Sequence, residues 1–184
     1  TIYKTAIEAD FHDVLLEHLL HLIDENWLKS ELSKNETSNF LLKWCKNTFC
    51  NIEEAEKLQK LHGKKRNLSF RPLLSLAYDL FVLSDHMVLQ DRILKRLKYH
   101  DFSSARYEVF VAATCIRAGF KLTFENEDDR RQRHVEFHAT NKDTGAEILV
   151  EAKRSGTYKH NYGKLINDAL GKAGNYPLVV FVDV

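Results

Sequence analysis

Breakers are scarce in this chain, with 2 prolines and 7 glycines among 184 residues. That excludes collagen-like and low-complexity architectures, and with 44% apolar and 29% charged residues one large packed domain or two small ones is expected. Cysteine is scarce too. Cys45, Cys50 and Cys115 are an odd, sparse set, which argues against a disulfide framework and for a reducing, cytoplasmic setting. No charge sign dominates: 27 Lys+Arg against 26 Asp+Glu leave a net charge of +1. A polycation that grips nucleic acid by bulk charge is thereby excluded, and any such grip has to come from local patches. No apolar run approaches the roughly 20 residues that span a bilayer, and no secretory leader pattern opens the chain, so a soluble protein with no membrane partner is expected. The chain opens without Met and stops in LVVFVDV, from which we expect a trimmed parent that continues at its C-terminus.

What is present divides into two halves. Residues 1–100 hold only Gly63 and Pro72, and residues 101–184 hold the remaining glycines and Pro177. The first half reads as a helical N-terminal domain. Phe11, Val14, Leu15, Leu19, Leu22, Ile23 and Leu28 recur at helical spacing and predict one helix from Asp10 to about Leu32. Helices over Phe40–Phe49 and Ile52–His62 follow, the latter closed by Gly63. Pro72 suits the first turn of a helical stretch running to about Tyr99, with a break or new cap at Ser84-Asp85.

The second half predicts the order helix, strand, strand, strand, helix, strand. Ser103 or Ser104 caps a helix over Ala105–Ala118 that stops at Gly119. Phe120, Leu122 and Phe124 alternate with polar residues as a strand, and Val135, Phe137 and Ala139 alternate with His134, Glu136 and His138 as a second. Asp143-Thr144-Gly145 is a turn signal leading to a return strand, Ala146–Lys153. A loop over Ser155–Gly163, a helix near Lys164–Ala173 and a buried strand, Leu178–Val184, complete the series.

The sharpest chemical signal is Glu151-Ala152-Lys153 at the end of an apolar strand, because alternation puts both charges on one face. Pairing Asn141 with Ala146 places Glu136 opposite Glu151; a two-residue turn at Thr144-Gly145 pairs Glu136 with Lys153 instead. Glu108 shares the helical stripe of Ala105, Val109, Ala112, Cys115 and Ile116, so it should face a cation, with Arg106, Arg117 and Lys153 as candidates. Carboxylates beside a lysine suit phosphodiester hydrolysis, in which hard oxygen ligands hold Mg²⁺ or Mn²⁺ and an ammonium offsets phosphate charge.

Residues 103–184 resemble the core of the PD-(D/E)XK nuclease superfamily on these elements and residues. The resemblance implies an α+β restriction-endonuclease-like fold with an αβββαβ core. It also implies metal-dependent nuclease activity on DNA more than RNA, with Glu108, Glu136, Glu151 and Lys153 as catalytic residues. Glu136, Glu151 and the Ala152 main-chain carbonyl would hold the metal, with Glu108 as a further ligand; Lys164 or Asn167 would present a polar group to the site. The motif's Pro-Asp stands as Val135-Glu136, a carboxylate one methylene longer.

Two other readings compete with it: a nuclease-like binding module without catalysis, and a Zn or Fe metalloenzyme using His134, Glu136 and His138 as a His-x-Glu-x-His site. Lys57, Lys60, Lys64, Lys65, Arg66 and Arg71 form a basic run, and Arg92, Lys95 and Arg96 share a helix face. These, with Arg154 and either His134 or His138, are candidate phosphate contacts, although a solvated charged face would look the same. Tyr158 and Tyr162 could stack on a base or simply pack. His18, His21, Cys45, Cys50 and His62 read as packed or surface residues rather than metal ligands, and Cys115 as a core residue. A homodimer is compatible with all three readings.

Overall fold

The computed structural model describes residues 10–34, 39–48, 71–124, 135–154, 162–174 and 176–183. Seven helices and four strands lie within them. In the N-terminal half these are α1 (Phe11–Ile23), α2 (Glu25–Leu32), α3 (residues 40–48), α4 (Arg71–Val82) and α5 (Met87–Tyr99). Then come α6 (Phe102–Arg117), β1 (Phe120–Thr123), β2 (Phe137–Asn141), β3 (Glu147–Arg154), α7 (Tyr162–Ala173) and β4 (Leu178–Asp183). The protein is α+β, with helices first and a mixed sheet after them. No helix among the described residues is long and apolar enough to cross a membrane.

The single helix expected over residues 10–32 is two. Asp24 takes φ 64, ends α1, and caps α2 by accepting the backbone N–H groups of Asn26 at 3.0 Å and Trp27 at 3.4 Å. A carboxylate that can satisfy a helix start competes with continuing the helix, and here the cap wins. Asp10 begins α1 with a capping box, bonding the Asp13 N–H while the Asp13 carboxylate accepts from the Asp10 N–H. The cap of α6 is Asp101, which accepts from Ser104 N–H at 3.2 Å; the helix therefore starts three residues earlier than Ser103 or Ser104 suggested. The expected break near Ser84-Asp85 is a turn after α4, with His86 at the N-cap of α5. Helix Ile52–His62, Gly63 and the basic residues Lys57, Lys60, Lys64, Lys65 and Arg66 lie outside the described residues.

The sheet has the order β1-β2-β3-β4, with β1, β2 and β3 antiparallel in turn and β4 parallel to β3. Helix α7 makes the crossover that a parallel pair requires. The β2–β3 hairpin adopts the longer-turn register: Asn141 N–H bonds Ala146 O at 2.8 Å and Phe137 pairs with Val150. Gly145, at φ 70, supplies the left-handed backbone on the return. Asn141 Oδ1 accepts from Asp143 and Thr144 N–H, which holds the turn together. Strand β4, expected to be buried, is a half-buried strand at the end of the sheet order.

One apolar cluster joins both halves. It runs from Leu15, Leu19 and Ile23 through Leu73, Leu76 and Leu80 of α4 and Ile93 and Leu97 of α5 to Val109 and Ala112 of α6. It continues into Leu122, Phe137, Ala139, Val150 and Ala152 on one face of the sheet. A second, small cluster of Val135, Leu149 and Leu178 lies apart from it. Leu149 is out of phase with Val150, so this cluster marks the other face of the sheet. Cys45 and Cys115 are buried free thiols, pushed by burial up to about 12 and about 11, and His18 packs edge-on to Phe81 at 5.5 Å, as expected of packed residues.

Candidate active site

Strand alternation makes Val150 and Ala152 face α6, so Glu151 and Lys153 point to the opposite face of β3. Because β3 lies between β2 and β4, Glu151 is enclosed rather than on a solvated edge, and it is fully buried. Its Oε1 accepts from two ammonium groups: Lys153 from its own strand and Lys172 of α7, the latter at 2.5 Å. Its Oε2 is out of contact with water and has no hydrogen-bond partner among the described residues. A buried carboxylate oxygen left unpaired costs roughly 1–3 kcal/mol or more, so this atom is the most conspicuous polar vacancy of the sheet.

Lys153 is about a quarter exposed. Burial pushes its ammonium pKa down, but the hydrogen bond to Glu151 and the charges of Glu151 and Glu136 together outweigh that and leave it raised. The ammonium therefore stays charged throughout the physiological range.

Glu136 lies in a bend just ahead of β2, and continuing the register one step from Phe137–Val150 sets it opposite Glu151. It also lines a void of about 10 Å³, room for one water at most, with Glu108, Arg92, Ile93, Ala112, Phe124 and Phe137. The same bend takes Val135 out of the strand and into the small cluster with Leu149, so the expected alternation of Val135, Phe137 and Ala139 on one face holds only from Phe137 onward. Glu136 thus stands between Glu108 on one side and Lys153 on the other.

Glu108 is buried on α6 and does face a cation, as its place in the apolar stripe requires. The partner is Arg96 of α5, not Arg106, Arg117 or Lys153. Arg96 grips both carboxylate oxygens, Nη2 to Oε1 at 2.7 Å and Nη1 to Oε2. This bidentate fork also removes Arg96 from the expected phosphate-binding face. Among the described residues, no three His, Cys, Asp or Glu side chains converge closely enough to hold one ion; Glu108, Glu136 and Glu151 are neighbours in sequence of charge rather than a closed carboxylate cage.

The remaining candidates scatter. Arg154 pairs with Asp183 of β4 at 2.9 Å. Lys164 and Asn167 are exposed on α7, His138 meets Tyr176 edge-on at 6.2 Å, and His134 and Tyr158 lie outside the described residues. The side chain that does reach the site from α7 is Lys172. Its signal was in the sequence: Leu165, Ala169 and Lys172 follow one another at i, i+4 and i+7, and Ala169 is fully buried. A lysine on the inward stripe of a helix poses the same question as Glu108 on the inward stripe of α6. Comparisons with family models, with curated proteins and with solved structures find no match to this chain.

Proposed function

We propose that this protein is a metal-dependent nuclease of the PD-(D/E)XK kind, hydrolysing phosphodiester bonds of nucleic acid, DNA before RNA. The observation that carries the reading is Glu151, a fully buried strand carboxylate with one oxygen engaged by Lys153 and Lys172 and the other without a hydrogen-bond partner among the described residues. The αβββαβ order of α6 to β4 and the place of Glu136 one step beyond the Phe137–Val150 pair, with its charge felt by Lys153, support it.

A hard divalent cation suits the donor set: Glu151 Oε2, the Glu136 carboxylate and the Ala152 main-chain carbonyl would hold Mg²⁺ or Mn²⁺. When bound, such an ion makes a water acidic enough to attack phosphorus near neutral pH. The chain's own residues then have distinct tasks. Lys153, kept protonated by its carboxylate neighbours, acts as a point charge that holds a phosphate oxygen or orients the water; it is not a base. Lys172 balances the charge of Glu151 and fixes its Oε1, which leaves Oε2 as the ligand atom. Glu108 serves structurally, through Arg96, by tying α5 to α6 beside the site.

A second reading, a nuclease-like binding module without catalysis, is favoured by the same two lysines, which already neutralise Glu151, and by the engagement of both Glu108 oxygens. One experiment separates the two: wild type and Lys153→Ala are compared on plasmid DNA, single-stranded DNA and RNA with Mg²⁺, Mn²⁺ or EDTA. The nuclease reading expects metal-dependent cleavage that drops about 10²–10³-fold in the variant, as for loss of one preorganised charge donor. Absence of cleavage in both, together with no Mn²⁺ uptake by calorimetry, establishes the binding module instead.

A further inference from the structure

The two ends of the sheet are finished differently. β1 is four residues long and carries Lys121 and Thr123, the short, charged kind of edge that discourages pairing with another chain. β4 is six residues long and reads LVVFVD. Its one charge, Asp183, is held by Arg154 of β3, and no strand pairs with its outer edge among the described residues. Main-chain N–H and C=O groups that point outward from such an edge accept another strand, and the apolar run Leu178–Val182 offers nothing against it. Val179 within that run is 38% exposed.

Helix α7 continues this surface. It touches both β3 and β4, and Ala169, fully buried, is the residue it turns to the sheet. At about 100° per residue, Lys172 lies about 60° to one side of Ala169, Ile166 about 60° to the other, and Leu170 beyond Ile166. Because the Lys172 side leans over β3 to reach Glu151, the Ile166 and Leu170 side leans over β4 toward its outer edge. Ile166 is 42% and Leu170 56% exposed. An apolar helix stripe therefore runs beside an apolar strand edge.

We infer that a second copy of this chain covers both, with the two β4 strands paired antiparallel about a two-fold axis normal to the sheet. That axis also sets α7 against its counterpart, antiparallel and in the same layer. The spacing fits. The axis lies half a strand spacing outside β4, and a helix joining β3 to β4 sits over the pair, half a spacing inside. The two α7 axes are then two strand spacings apart, roughly 10 Å, and packed helices lie about 8–10 Å apart. Ile166 and Leu170 meet their own counterparts, the self-complementary patch that a two-fold requires. An extended peptide would cover the edge and leave the α7 stripe in water, and a lone helix would do the reverse. Since β4 spans about 20 Å, the contact is at the small end of specific interfaces, and the dimer is weak and concentration-dependent. Glu151 lies one strand inward of β4, so the inference is independent of the nuclease reading.

The test is mass in solution. Sedimentation equilibrium of the wild-type chain from about 5 to 200 µM should give a mass that rises from 21.4 kDa toward twice that value. Leu170→Glu on α7 and Val179→Lys on β4 each place a charge at an exposed position, and each should weaken association about ten-fold or more, with the far-UV circular dichroism of the parent retained. Amide hydrogen exchange on the wild type gives a second reading: β4 amides should exchange more slowly at the high concentration than at the low one, and β1 amides should not change. A wild type that stays at 21.4 kDa throughout overturns the inference and leaves another protein, or another segment of the chain, as the cover of β4. A dimer that survives either substitution, or that leaves β4 exchange unchanged, overturns it too, because the two copies then meet elsewhere.

Discussion

Two buried carboxylates, each between two cations, make an instructive pair. Asp79 of α4 lies in the helical half with Arg106 and Arg117 of α6, one guanidinium at 2.9 Å from each oxygen. The contact of Oδ1 with Arg117 is a hydrogen bond, and that of Oδ2 with Arg106 is an ion pair. Glu151 of β3 also has two cations, but both are on Oε1. The two acids are buried alike, yet only Glu151 keeps an oxygen with neither a hydrogen bond nor an ion pair among the described residues. Charge that is evenly matched oxygen by oxygen ties helices together, and charge that is matched on one side only leaves a ligand atom. The cations differ in kind as well: guanidinium forks suit fixed pairing, and ammonium groups are point charges that can change partner.

The comparison can be broken most directly by isosteric neutralisation. Asp79→Asn leaves two half-buried guanidiniums around a neutral amide and should cost about 3–5 kcal/mol in urea unfolding, the usual result of removing one partner from a buried pair. Glu151→Gln should cost less than half of that, because both lysine side chains are partly exposed and the amide oxygen still accepts from one of them; on the nuclease reading, metal uptake is lost as well. If Glu151→Gln proves the more damaging to stability, Glu151 is the structural acid and the contrast is wrong.

Lys172→Met sharpens the contrast from the cation side. On the nuclease reading it leaves Glu151 Oε1 to Lys153 alone and removes one positive charge beside the carboxylate, and Mn²⁺ should bind about ten-fold more tightly by calorimetry, the worth of one charge-assisted hydrogen bond. Weaker binding would mean that Lys172 aligns the carboxylate rather than competing for it.

The smallest effect is in pH. Lys153 has a raised pKa in the folded state, so its stabilising contribution is fully present below the ordinary lysine value and fades as pH rises through the folded one. Urea stability of the wild type should therefore fall as pH rises above the ordinary lysine range, and Lys153→Met should flatten that part of the fall. Burial pulls the Arg106 guanidinium down, against the charge of Asp79, but a guanidinium starts from a value so high that the Asp79 cluster keeps its charge over this range. An equal alkaline loss in Lys153→Met would show that other groups carry it.

Much of this was legible in the chain itself, and the misses have identifiable causes. The period of two in Phe120–Thr123 and in Phe137–Asn141 and the apolar run of Ala146–Lys153 marked the strands, because a pleated backbone alternates side chains whatever surrounds it. The turn at Asn141–Ala146 narrowed the hairpin to two registers, and the asparagine side chain that caps the turn selected between them. At Asp24 and Asp101 the reading was less successful: a carboxylate that can bond the N–H groups ahead of it starts a helix wherever the geometry lets it, and composition does not reveal which residue will do so.

The sequence by itself determined the order of elements from α6 to β4, the helical stripe that turns Glu108 inward and the shared face of Glu151 and Lys153, since all of these are set by backbone period within one element. Only the tertiary structure decided that Arg96 rather than Arg106 meets Glu108, that Lys172 reaches Glu151 across the crossover, and that Oε2 of Glu151 has no hydrogen-bond partner among the described residues. Those pairings depend on how far one helix is displaced along its neighbour, and that displacement is set by the packing of the common core, which no short stretch of the chain encodes.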